Sequence, residues 1–184
     1  MVLLIAGVAL WFAAHGFKRI APERRSAMGE KGKAPVAIGI ALGLVLMIIG
    51  YRQAAFIEIW SPPEFLIHVN NLIMVVAVAV FAMAHTKGRM RGRMRHPMLT
   101  SVKMWAAAHL LVNGDLASII LFGGMLGWAV WTVIKINRAE EWQRPEPGED
   151  KRDWKFLAVT VVTFAVMVGL HLWLGVSPFG ARGA

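Results

Sequence analysis

The stretch Phe65-Leu-Ile-His68-Val-Asn70-Asn71-Leu-Ile-Met-Val-Val-Ala-Val-Ala-Val-Phe-Ala-Met-Ala-His85 contains no Asp, Glu, Lys or Arg. A helix that crosses a bilayer needs roughly 20 mostly apolar residues. In lipid every backbone N–H must find its acceptor inside its own segment, so this run reads as a transmembrane helix. Moving outward, the same reading applies upstream to Met1–Phe17 and Pro35–Tyr51. Downstream it applies to Leu116–Ile136 and Trp154–Leu174, and to a shorter run, Pro97–Asn113, that carries Lys103 and His109. The predicted fold is an all-α, polytopic membrane helix bundle of about six transmembrane helices, with residues 1–184 forming a single domain.

Composition agrees. The chain is 57% hydrophobic and 17% charged, with a mean hydropathy of +0.56. Soluble domains are nearer 45–50% apolar and about 25% charged. A water-soluble enzyme, a coiled coil and a disordered chain are therefore excluded. The sequence has no Cys, which removes disulfides, thiolate catalysis, zinc–thiolate sites and iron–sulfur clusters. Met1–Phe17 does not read as a signal peptide, because Lys18 and Arg19 follow the apolar run and do not precede it.

The net charge is +9, and its placement sets the topology. Lys18, Arg19, Arg24, Arg25, Lys31 and Lys33 follow the first span. Lys87, Arg89, Arg91, Arg93 and Arg95 follow the third, and Lys135, Arg138, Arg144, Lys151, Arg152 and Lys155 surround the loop between the fifth and sixth. Only Arg52 and Arg182 fall on the opposite side. Alternating basic loops follow the positive-inside rule, placing both termini outside the cytoplasm of a multi-pass protein of the bacterial inner membrane. The basic runs address the lipid bilayer and its anionic headgroups, not nucleic acid.

Several motifs carry structural expectations. Ser61-Pro62-Pro63-Glu64 reads as a capping box opening the third span. Asn113-Gly114-Asp115 reads as a tight turn, with Gly114 as a left-handed stop and Asp115 as the next N-cap. Gly39/Gly43 and Gly123/Gly127 are GxxxG pairs for close helix packing. Arg144–Asp153 reads as a solvated loop.

Chemistry is carried by the histidines, because ionisable groups inside a membrane are costly and tend to be functional. There are six: His15, His68, His85, His96, His109 and His171. Two occupy matching stripes, Trp11-Phe-Ala-Ala-His15 and Trp105-Ala-Ala-Ala-His109. In each, Trp and His are i, i+4 neighbours on one face, and the small residues between let a flat group approach. Asn113 extends the second stripe by a turn. A neutral imidazole among small neighbours is what a haem or metal asks of a helix. His68 follows a helix start and His85 opens a basic loop; neither reads as a ligand. The spans carry almost no carboxylates and no Glu-x-x-His of the di-iron type, so haem is favoured over zinc or di-iron.

The segments Phe12-Ala-Ala-His15, Gly50-Tyr51 with Trp60-Ser-Pro-Pro63, and Arg95-His96-Pro97-Met98-Leu99 resemble the NnrU family of integral membrane proteins. So do Lys103-Met-Trp-Ala-Ala-Ala-His109-Leu-Leu-Val-Asn113-Gly114-Asp115 and His171-Leu-Trp-Leu-Gly175-Val-Ser177-Pro178. The resemblance implies a link to denitrification and nitrogen-oxide metabolism. Through the related plant 15-cis-zeta-carotene isomerases, it also implies haem b and cis–trans isomerisation of a polyene. The haem ligands implied by the resemblance fall on His15 and His109. The plant proteins carry a Cys three residues before the second His; here that residue is Ala106, so no thiol is available to exchange as a ligand.

Helix rise sets the depths. His15 is expected about 7 Å to the cytoplasmic side of the midplane and His109 about 4 Å to the other side. His109–His171 and His15–His96 are therefore the alternative ligand pairs. Arg95 and Lys103 are candidates to pair with haem propionates. Trp11 and Trp105 are candidates to bound a flat apolar cavity for a polyene or nitrogen-oxide substrate. Arg95-His96-Pro97, with Glu140-Glu141 further on, also matches superficially a membrane S-adenosylmethionine-dependent methyltransferase. A non-catalytic subunit or assembly factor of a nitrogen-oxide reductase is a third reading.

Overall fold

The computed structural model describes residues 1–90 and 92–179; Arg91 and Arg182, two of the charges used for topology, lie outside the described residues. The helices are α1 (Val2–Ile20), α2 (Pro22–Ala27), α3 (Lys33–Arg52), α4 (Leu66–His85) and α5 (Pro97–Val112), then α6 (Leu116–Ala139) and α7 (Asp153–Trp173). Boundaries follow local chemistry. Lys18 and Arg19 sit in the last turn of α1, where cations suit the helix dipole. Pro97 occupies the first turn of α5, where its missing N–H costs nothing. Asp115 caps α6, accepting from the Ser118 backbone N–H at 3.1 Å.

Among the described residues, five helical stretches are long and apolar enough to cross a membrane: Val2–Ile20, Gly29–Arg52, Leu66–His85, Leu116–Ala139 and Asp150–Trp173. The exception among the expected spans is α5, whose 16 residues rise about 24 Å. It nevertheless runs between the same two ends of the bundle as its neighbours. Its start joins the basic loops, and just past its end the Gly114 carbonyl accepts from Ile59 N (2.8 Å) and Trp60 N (3.1 Å) of the α3–α4 loop.

Two antiparallel hairpins, α1/α3 and α4/α5, are bridged by α6, which packs on both α1 and α5. Leu4, Met47, Ala117, Met125, Trp128 and Ala129 form the core where α1, α3 and α6 meet. The last helix, α7, docks on α4 and has no buried residue. Its exposed Leu157, Val161, Val162 and Val166 give the apolar outer surface that lipid solvates.

The two GxxxG pairs behave differently. A Cβ on Gly43 would stand 2.9 Å from Trp11 N and 3.2 Å from Gly7 O, so α1 and α3 approach backbone to backbone. At Gly123 and Gly127 a Cβ would meet nothing within 4 Å, so this pair does not pack helices as expected; Gly124, against Val8, is the α6 glycine in contact with α1. Gly43→Ala should cost about 1–3 kcal/mol by overpacking. Gly127→Ala should cost nothing and gain helix propensity. Thermal denaturation of the two variants in detergent checks the contrast.

Three other expectations are corrected. Ser61–Glu64 is not a capping box: α4 starts at Leu66 with no side-chain cap, and the Ser61 hydroxyl donates to Glu58. The two prolines hold the chain in turns before the helix begins. Gly114 is not in the left-handed region, since the positive-φ glycines among the described residues are Gly29, Gly92 and Gly175. Arg144–Asp153 is not merely solvated but laced to the α4–α5 loop. Gly148 N donates to Gly88 O (3.1 Å), Arg144 to Gly92 O (3.1 Å), and Arg89 to Asp153 (2.5 Å). The hydrogen bond to Asp153, followed by the charges of Asp150 and Asp153, holds the Arg89 guanidinium above its ordinary value.

Candidate functional site

On α5, the His109 Nδ1 donates to the Trp105 carbonyl one turn back, at 2.9 Å. That bond fixes the proton on Nδ1 and leaves the Nε2 lone pair available. The ring lies 4.6 Å from Phe122, tilted by 32°, and 5.4 Å from Trp105. Phe122 is delivered by a wide π turn, Ile119–Gly123, early in α6. Such turns insert an extra residue and are frequent at functional sites. Ala106 and Ala108 are fully buried, which lets helices approach α5 closely. Asn113 donates its side-chain N–H to the His109 carbonyl at 2.8 Å and so closes the helix end.

His171, on α7, has the same internal bond, with Nδ1 donating to the Met167 carbonyl at 2.7 Å. It stands on the helix that docks on the first member of the α4/α5 hairpin. Both α5 and α7 pack on α4, so one helix holds the two that carry these imidazoles.

His15 has different neighbours. Its Nδ1 donates to the Trp11 carbonyl at 3.3 Å, and its ring is flanked by Trp11 at 4.1 Å and Trp128 at 5.0 Å. Trp128 and Phe122, the α6 contacts of His15 and His109, are six residues apart, or about 9 Å along the helix. The depth offset read from the sequence is thus present in the fold. His109 packs against Phe122, and His15 against Trp128.

The Arg-His-Pro element closes a joint. His96 Nε2 bonds Asn137 Oδ1 at 2.8 Å, and the Arg95 guanidinium donates to the Glu140 carbonyl at the end of α6. Lys103 is half-buried on α5, two turns from His109 and on a different face. Trp105 packs edge-on against Phe122 at 5.1 Å. An apolar groove of about 580 Å³ lies between α1 and α6, walled by Val8, Phe12, Gly127 and Trp128.

Three features escaped the sequence reading. Phe122 carried no signal, because a π turn has no residue signature. Trp128 could have been noticed as a Trp one turn from Thr132. The chain Tyr51 hydroxyl–Ser118 hydroxyl (2.8 Å)–Asp115 carboxyl (2.5 Å) joins residues remote in sequence. Among the described residues no group of three or more His, Asp or Glu could hold a metal ion. Ligation of a porphyrin iron by two imidazoles needs no such group.

The family model of the NnrU protein matches residues 3–178. The chain belongs to the NnrU family. No curated protein and no solved structure matches it. In this NnrU protein the longest resembling segment, Lys103–Asp115, makes up most of α5 together with the cap of α6. The segment that opens with His171 straddles the end of α7.

Proposed function

We propose that this NnrU protein is a haem b protein of the bacterial inner membrane, crossing it six times with both termini outside the cytoplasm. One observation carries the reading. His109 and His171 stand on two helices that both pack on α4, each with Nδ1 committed to a carbonyl of its own helix. Two imidazoles with Nε2 uncommitted would hold the iron of a haem. Of the candidate pairs, His109–His171 is therefore preferred over His15–His109.

Bound there, haem b would supply redox chemistry towards a polyene or a nitrogen oxide. The chain's own part is narrower. The Trp105 and Met167 carbonyls hold the two tautomers, and Phe122 fixes the plane of His109. The methyltransferase reading draws on the nearness of Arg95 to Glu140. Yet the guanidinium and the imidazole of that element are already bonded to α6.

The test is the absorption spectrum of detergent-purified protein from cells supplied with haem precursor, oxidised and then dithionite-reduced. A Soret band with sharpened visible bands on reduction is expected. A preparation that remains colourless after hemin titration, yet co-purifies with a nitrogen-oxide reductase, would establish the non-catalytic subunit in its place.

A further inference from the structure

Around His15 the protein leaves hydrogen-bond donors without acceptors. Trp11 Nε1, Trp128 Nε1 and Thr132 Oγ1 are buried and find no partner among the described residues. Trp128 and Thr132 are only 7% and 9% exposed, and as i, i+4 residues they share a face of α6. The two indoles flank the His15 ring. With Nδ1 bonded to the Trp11 carbonyl, His15 Nε2 is an acceptor. The cluster therefore offers three donors and one acceptor in a part of the molecule where lipid supplies neither.

Folds rarely leave such groups unmatched, and a bilayer makes the omission costlier. The edge-on approach of Trp11 to Trp128, 5.9 Å between centroids, can spend one indole N–H weakly on a π face. It does nothing for the Thr132 hydroxyl.

Trp128 also walls the apolar groove between α1 and α6. Ile5 and Ile20 both line that groove, so it follows α1 for about 22 Å. Beside Gly127 it is open, since a Cβ there would touch nothing. This length and lining suit an apolar chain entering sideways from lipid, and Trp128 belongs to both the groove wall and the polar cluster.

We infer that the Trp11–His15–Trp128–Thr132 cluster and this groove bind a lipid-soluble quinone and its quinol. The oxygens of the ring accept from the indole and hydroxyl donors, and in the quinol form one also donates to His15 Nε2. The isoprenoid tail lies along α1. A lipid ester carbonyl only accepts in every state, so unlike the quinol it can never match His15. A free carboxylate wants a cation, and the cluster contains none. The inference goes beyond the haem assignment and does not depend on it, because it uses His15 and not His109 or His171.

The experiment uses an azido derivative of decylubiquinone, photoactivated on the full chain in nanodiscs, with labelled peptides mapped by mass spectrometry. Saturable labelling of α1 and α6 around Trp128 is expected, displaced by decylubiquinone but not by methyl dodecanoate. Thr132→Val, nearly isosteric, and Trp128→Phe should each weaken displacement by about tenfold. Labelling should persist in His109→Ala, so loss of haem and loss of quinone binding are separately visible. Labelling spread over the lipid-facing helices would overturn the inference. So would equal competition by the ester, or binding unchanged in both Thr132→Val and Trp128→Phe.

Discussion

Alanine at His109 is expected to abolish the Soret band of this NnrU protein. Alanine at His171 should leave a weaker, shifted, high-spin band, and alanine at His15 should leave the band at full strength. The order follows from how each ring is held. His109 is fixed twice, by its 2.9 Å bond to Trp105 and by Phe122 stacked at 4.6 Å. Altering an outer-shell partner of a metal ligand typically costs about 10–100-fold in affinity, and loss of the ligand itself costs more. His171 has its carbonyl bond but sits on α7, the helix without buried residues, so it is the more exchangeable partner. His15 packs on Trp128, about 9 Å further along α6 than Phe122. Phe122→Leu should keep haem but broaden the low-spin electron paramagnetic resonance signal, since the ring plane loses its stop. Loss of the band in both His15→Ala and His109→Ala, with His171→Ala unaffected, would reverse the assignment.

Much of this was legible in the residues. Apolar runs bounded by charge fixed the main helices to within a few positions, because in lipid the backbone has no other economical choice. The two Trp-x-x-x-His stripes were legible as well, since i, i+4 geometry is local. What the stripes face was not. That α4 holds both the helix of His109 and the helix of His171 is a fact of helix order that no local pattern encodes. The glycine pairs make the same point. Gly39/Gly43 and Gly123/Gly127 have one spacing, yet one meets the backbone of α1 and the other meets open space. The motif says how near a neighbour can come, not whether one does. Arg95 and His96 were read both as haem-facing groups and as a helix-end device, and their bonds to Glu140 and Asn137 answer to the second.

Gly114→Ala is expected to be strongly destabilising. An added Cβ would run into the Trp60 carbonyl and lie 3.1 Å from Pro62 Cδ. Neither can yield easily: one is backbone and the other a ring. The same contact is tied by Ile59 N and Trp60 N to Gly114 O, and by Leu116 N to Ile57 O at 2.8 Å. Directly beside it, Asp115 is fully buried and caps α6 through Ser118, whose hydroxyl also meets Tyr51 of α3. Displacing Gly114 therefore strains the joint of three elements: the α3–α4 loop, the end of α5 and the start of α6. Overpacking and one or two lost buried bonds together cost about 3 kcal/mol or more, a fall of roughly 6–12 °C in Tm for a chain of this size. Asp115→Ala should approach this loss, because the Ser118 hydroxyl and N–H lose their acceptor. Asp115→Asn, which keeps one carbonyl oxygen, should retain about half. Melting curves in detergent read the three variants side by side. Since the knot lies at the end of α5, beside the turn that delivers Phe122 to His109, any haem loss in Gly114→Ala should track unfolding and be recovered at lower temperature. In His109→Ala, where the ligand itself is gone, no temperature should restore it.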